Sequence, residues 1–316
     1  MNPIEIAVLR AGVSEALHRV HAVAVQDGAI VATAGDANLI SFFRSSAKPF
    51  QALPLVQSRD DLDDTEIAIA CASHQAEPAQ LKAVRSLLRK ASASEDDLEC
   101  GFEEGRKQQR IYNECSGKHA GMLALCQKKG WSPVGYRLAS HPLQRAVLGE
   151  IAAAGEVLQE EIPTGVEGCG VVTFALPLAG MAAAFSRLER LEGGARVVEA
   201  MRAYPELVGG EGADDTDLMT ALPNWVAKRG AEGLFCAAGP DGTGVALKSE
   251  DGSQRPLRPA LAAFFAILGH PLEQFARIPL TNSRGEYVGE IRARHGGSYE
   301  ATSGPIRIKP AARSGP

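Results

Sequence analysis

Two short stretches gather residues that can do chemistry. Residues 44–48, RSSAK, set Ser45 three positions before Lys48, and residues 113–122, NECSGKHAGM, crowd Cys115, Ser116, Lys118 and His119 together. On a helix, residues three apart share a face and residues two apart do not, so Ser45 rather than Ser46 meets Lys48. A serine hydroxyl becomes a nucleophile when a base takes its proton, and a lysine partly withdrawn from water beside other cations can be that base. Alone the pattern is weak, because a helix start followed by a solvated lysine gives the same four residues. NECSGKHAGM is not a phosphate loop: it lacks the required upstream glycine, and His119 follows Lys118 where Ser or Thr should hold magnesium.

The weak Ser-x-x-Lys pattern gains support when further polar motifs accompany it. Serine β-lactamases and penicillin-binding proteins start a helix with S-x-x-K, add a second polar motif and bring a lysine from a late strand. Here Ser73, in CASHQAEP, stands for the second serine and Lys248, in GVALKSEDG, for the strand lysine. The match is partial, since Glu250 occupies the place of the glycine in Lys-Thr-Gly. Ser73 also reads as a cap for the helix PAQLKAV, and Lys248 as a solvated strand end.

The elements that must position these residues follow from periodicity. IEIAVLR, RVHAVAV and AIVATAG are strand-like, with Asp27-Gly28 marking a hairpin turn. A helix is expected from about Ser45, kinked or shortened by Pro54, and others over PAQLKAVRSLLRKA, HPLQRAVLGEIAAAG, TFALPLAGMAAAFSRL and ARVVEAMRAY. Strand signals return in GLFCAAG, GVALKSEDG and EYVGEIRAR, with a helix over RPALAAFFAILG between the last two. The expectation is one α+β domain over residues 1–316. Strands at about 4–36 and 230–295 close one antiparallel sheet, residues 45–225 are mainly helical, and 308–316 form a frayed tail.

The whole chain narrows the function classes. Its 316 residues contain 45% hydrophobic and 22% charged residues, as in soluble globular proteins. A net charge of −5 and 5% aromatic residues give neither an electrostatic footprint nor stacking platforms for nucleic acid. Neither a signal peptide nor an 18-residue apolar run is visible, so a cytoplasmic protein without a membrane partner is expected, its six cysteines reduced.

The stretches RSSAKPFQALPL (44–55), CASHQAEP (71–78), NECSGKHAGMLALC (113–126), HPLQRAV (141–147), EGCGVVTFALPL (167–178), YPELVGG, TDLM and AKRGAEGLFCAA through GVALKSEDG (227–252) closely resemble the asparaginase II family. These are the rhizobial-type, thermolabile L-asparaginases, distinct from the threonine-based bacterial enzymes. The resemblance runs in order from near residue 4 to about 270. It implies a serine β-lactamase or glutaminase-like fold, a homodimer, and hydrolysis of L-asparagine to L-aspartate and ammonia by two Ser-Lys tandems. By resemblance, Ser45 pairs with Lys48, and Ser73 with Lys248. The family's zinc site maps onto Cys115, Lys118 and Cys169.

That metal set can be judged chemically. Lysine coordinates only as the neutral amine, and zinc would have to drive proton loss from it and from both thiols. Two buried thiols are the plain alternative. Arg44, beside the nucleophile, suits bidentate binding of an α-carboxylate, although an exposed arginine ahead of a helix reads the same. His119 is a candidate substrate contact or a surface histidine. Glu167 is a candidate partner for the substrate amine or a metal-bound water and stands where members of the family usually carry Asp. The segment VGGEGADDTDLM also departs from the usual form. Rival functions are a glutaminase, β-lactamase or esterase on the same scaffold, and a non-catalytic module that senses an amino acid or zinc.

Overall fold

The computed structural model describes residues 2–294 and 301–305; the expected tail at 308–316 lies outside them. The chain forms two compact units from interleaved stretches. The first takes residues 1–41, 177–186 and 229–316, and the second 42–176 and 187–228.

The first unit opens with three strands, β1 (Ile4–Arg10), β2 (Val13–Gln26) and β3 (Ala29–Ala34). Both turns have left-handed backbone at two successive residues, Ala11-Gly12 and Asp27-Gly28, as two-residue hairpins require. Along β2 the exposed early residues pair with β1, whereas Val20–Val25 are all buried between β9 and neighbouring strands. The chain then enters the second unit through β4 (Ile40–Phe42) and builds α1 (Lys48–Ser58), α2 (Asp64–Ala70), α3 (Pro78–Lys90), α4 (Ser116–Lys129) and α5 (Pro142–Gly155). The strands β5 (Thr164–Val166) and β6 (Val172–Pro177) pair antiparallel and end this passage.

The helix expected over TFALPLAGMAAAFSRL is half strand. Val172, Thr173 and Phe174 are β-branched or aromatic and take the extended backbone of β6, and only after Pro177 does the alanine-rich remainder form α6 (Leu178–Arg187). The second unit resumes with α7 (Gly194–Ala203), α8 (Pro205–Val208) and α9 (Asp214–Ala221), and the boundary at residue 228 falls within β7 (Val226–Gly230). The first unit is completed by β8 (Leu234–Ala238), β9 (Gly244–Ser249), α10 (Leu257–Ile267), β10 (Arg277–Thr281), β11 (Tyr287–Ala293) and β12 (Ala301–Pro305).

The architecture is α+β. In the first unit the antiparallel order runs β10-β11-β1-β2-β9-β8, with β3 paired to β2 and β12 to β3, so both chain ends contribute to one sheet, as expected. The apolar helix α10 covers strands from both ends, including β1, β2 and β9.

In the second unit α4 is the centre. Every residue from Ser116 to Cys126 is buried, which is why its sequence shows no clean amphipathic stripe. It lies against α1, α2 and α3. Gly117 and Gly121, one turn apart, allow that approach: a Cβ on Gly117 would sit 2.2 Å from Ile69 O of α2, and one on Gly121 3.2 Å from Ala70 Cβ. Gly130, in the left-handed conformation, ends the helix.

Candidate active site

Ser45 lies in a 3-10 turn, Arg44–Ala47, that leads directly into α1. Three residues per turn place Ser45 and Lys48 on one face, a tighter alignment than an α-helix gives. The turn is held at several points within the second unit. Phe43 N–H donates to Phe174 O at 2.7 Å, Arg44 N–H to Thr173 Oγ1 at 3.3 Å, and Ser46 Oγ to Lys228 O at 2.8 Å. Arg44 has φ +47°, a left-handed backbone that a non-glycine residue adopts at an energetic cost and that gathers at functional sites. Ser46 is therefore a structural anchor, which leaves Ser45 as the serine of the pair available for chemistry.

Lys48 is fully buried and donates to Ala72 O at 2.6 Å and Ser73 Oγ at 2.8 Å. Among the described residues its hydrogen bonds go to the Ser73 strap and not to Ser45. That strap is fixed by Ser73 N–H to Val208 O, 2.9 Å, and His74 N–H to Glu114 O, 3.1 Å. Beneath it, His74 Nδ1 accepts from Ala76 N–H and Nε2 meets Ser116 Oγ at 2.8 Å. Burial, then the Lys48 and Arg106 charges, push the His74 imidazole down to about 3. It is a neutral strut between Ser73 and the start of α4.

Lys248 belongs to the first unit. It is half-buried on β9, donates to Ser249 O at 2.5 Å, and burial lowers its pKa against the pull of Glu232 and Asp251. The sequence reading passed over Lys228. This lysine of β7 is fully buried in the second unit, 2.5 Å from the equally buried Asp215. Burial pushes the Cys71 thiol up to about 12, while the Lys228 and Lys48 charges both draw it down. The signal was present: Lys228-Arg229-Gly230 has the glycine that Lys248-Ser249-Glu250 lacks.

Cys115, Lys118 and Cys169 come together. Cys115 caps α4, Lys118 lies on its first turn, and Cys169 projects from the tight Glu167–Val171 turn between β5 and β6. Lys118 Nζ is 3.2 Å from Cys169 Sγ and 3.2 Å from Glu167 Oε2. A hydrogen bond from Cys115, then Lys118 and His119, outweigh burial and hold Cys169 far below an ordinary thiol. That same bond, with burial, raises Cys115 well above its usual value. Burial acts to lower Lys118, but Cys169, Glu167 and Cys115 together hold it well above the ordinary range. Glu167 Oε1 also faces Arg44 Nε at 3.6 Å.

The donor set fits zinc. Two ligands on one tetrahedral zinc, at about 2.0 Å for nitrogen and 2.3 Å for sulfur, stand roughly 3.5 Å apart, close to the Lys118–Cys169 spacing. Among the described residues, no set of three His, Cys, Asp or Glu side chains makes a metal site, so an ion here depends on the Lys118 amine.

Arg44 Nε and Glu167 Oε1 are buried and face each other only at 3.6 Å, beyond hydrogen-bond reach. Buried polar groups are seldom left so. A cationic donor and an anionic acceptor side by side can meet the two charges of a zwitterionic amino acid. Among the described residues no helix is long and apolar enough to cross a membrane. The family model for L-asparaginase II matches residues 6–293 of the chain. No curated protein sequence matches it.

Proposed function

Because the chain belongs to the L-asparaginase II family and is thereby an amidohydrolase, we propose that it hydrolyses the side-chain amide of L-asparagine through an acyl-enzyme on Ser45. The observation that carries this reading is the buried Lys48, bonded to Ala72 O and Ser73 Oγ on the face of the turn that also bears Ser45. In this reading Lys48 is the group that takes the proton of Ser45.

In the proposed reaction Ser45 Oγ bonds to the amide carbon and its proton passes to Lys48. Ser73 relays a proton to the leaving ammonia, and water then opens the β-aspartyl ester. Arg44 binds the α-carboxylate, Glu167 the α-amine, and His119 a further oxygen. By family resemblance Lys248 partners Ser73. Burial and a shared unit favour Lys228, held as a fixed positive charge by Asp215. Zinc, held by Cys115, Lys118 and Cys169, would supply a permanent charge that orients the substrate end of the pocket. Assembly as a homodimer in the cytoplasm is part of the same proposal.

The test is product analysis with purified protein. Aspartate and ammonia are expected from L-asparagine, with glutamine and a chromogenic lactam poorer substrates. Ser45→Ala should lose turnover with an unchanged circular dichroism spectrum, and an active, folded Ser45→Ala protein would sink the mechanism.

A further inference from the structure

Glu103-Glu104-Gly105-Arg106 closes a tight turn. Arg106 N–H donates to Glu103 O at 3.2 Å, and Gly105, with φ +77°, supplies the left-handed backbone that the third position of such a turn needs. The first and fourth residues of the turn stand side by side, and Glu103 Oε1 accordingly meets Arg106 Nε at 3.0 Å.

The pair reaches beyond its own turn. Glu103 Oε2 accepts Glu114 N–H at 2.7 Å, and Arg106 Nη1 donates to two main-chain oxygens, His74 O at 3.1 Å and Tyr112 O at 3.0 Å. His74 N–H in turn donates to Glu114 O at 3.1 Å. The peptide groups of His74 and Glu114 are therefore tied to each other directly and a second time through Arg106 and Glu103, in a closed ring of hydrogen bonds. All of these residues belong to the second unit. Both hydrogens on Nη1 go to carbonyls and the one on Nε to a carboxylate, a use of fixed, coplanar donors that suits a guanidinium and not an ammonium.

The ring adjoins Ser73. On one side the serine is held by its own N–H, which donates to Val208 O at 2.9 Å, and on the other by His74. Between these two fixed points its hydroxyl lies 2.8 Å from Lys48 Nζ.

We propose that Arg106, aimed by Glu103, is a positioning residue: by holding the His74 carbonyl it keeps the Ser73 hydroxyl where it can pass a proton to the departing ammonia. The inference rests on that relay by Ser73. As Ser45 Oγ bonds to the amide carbon and the C–N bond breaks, the nitrogen leaves as ammonia only when it gains a proton. The 4-nitrophenyl ester of the aspartate side chain needs no such proton, because 4-nitrophenolate leaves as a stable anion. An arginine that only fastened a loop would, on removal, lower the unfolding midpoint and leave the ratio of the two activities alone.

The test compares kcat/KM for the two substrates on folded protein. Arg106→Ala should lose roughly ten- to hundredfold on L-asparagine, as a small misplacement of a reacting group does, and hydrolyse the ester at close to the wild-type value. Arg106→Gln, which keeps a planar donor, should show the same split in milder form, and it decides the matter if the alanine variant does not fold. A folded variant with the wild-type ratio, or with equal losses on both substrates, overturns the proposal. Ser73→Ala tests the relay separately. If it shows the split and the Arg106 variants do not, the placing of Arg106 alone is wrong; if it shows none, or wild-type protein releases no ammonia from L-asparagine, the functional reading fails and the role of Arg106 with it.

Discussion

Lys48 and Lys228 are both fully buried, yet their surroundings assign them different work. Lys228 stands against a buried carboxylate, with which it forms an ion pair. Lys48 donates to a carbonyl and a hydroxyl rather than to a carboxylate. Lys228→Ala should therefore reduce kcat by more than tenfold and also destabilise the fold, because it takes the ammonium away from the buried Asp215 carboxylate. Lys248→Ala should leave stability nearly unchanged and reduce kcat less; steady-state kinetics and thermal unfolding of the two variants check the order. His74 gives a prediction in pH. Its folded pKa is depressed to about 3, whereas an unfolded histidine titrates near ~6.5. Between those values the unfolded chain holds a proton that the folded chain refuses, so stability is full above about pH 6.5 and falls as pH is lowered through that window. The slope is at most about 1.4 kcal/mol per pH unit. Urea unfolding from pH 7 to 4 should show a shallower decline in His74→Gln.

Helix α4 gives the site its shape through what it lacks. Two glycines one turn apart let its backbone press on α2, and this brings Cys115 and Lys118 at its first turn to the depth at which Cys169 arrives from the β5–β6 turn. Alanine normally improves a helix interior by about 1 kcal/mol over glycine. Gly117→Ala should do the reverse, since its methyl would lie 2.2 Å from a main-chain oxygen. A loss of about 1–3 kcal/mol in chemical denaturation is expected. Elements were legible where one periodicity ran unbroken, as in α3, α5, α7 and the Asp27-Gly28 hairpin. They were obscured where burial on all sides erased the pattern, as in α4, or where two elements shared one apolar run, as in Val172–Arg187. In the candidate site, Ser45 and Lys48 were paired by type and spacing, whereas Ser73 was picked out through the family resemblance; Lys48 donates to Ser73. Lys228 was missed, because a buried ion pair with Asp215 depends on a contact that local spacing does not encode.

At the scale of the molecule, the proposed zinc ligands come from segments far apart in the chain. Cys115 and Lys118 open a helix and Cys169 lies in a turn beyond α5. An ion bound to the folded arrangement alone stabilises it in proportion to its concentration over its dissociation constant, about 2.7 kcal/mol at a hundredfold excess. Adding zinc to chelator-treated protein should raise the unfolding midpoint by several degrees, and by much less in Cys169→Ser, as read by scanning calorimetry. An unchanged midpoint in the wild type argues against zinc at this site.

The interleaving of the two units sets a schedule for synthesis. The second half of β2, buried on both faces, leaves the ribosome with β1 and β3, but its partner β9 is made only about 220 residues later, from Gln26 to Gly244. At roughly 5–20 residues per second this is a wait of about 10 to 40 s. The helices of the second unit up to α5 are finished during that interval, while the strand that will lie in the middle of the sheet remains unpaired on one edge. Nascent β2 is therefore the segment that a cell's holding chaperones should meet, and slower translation between residues 42 and 243 should lower the yield of folded protein rather than raise it.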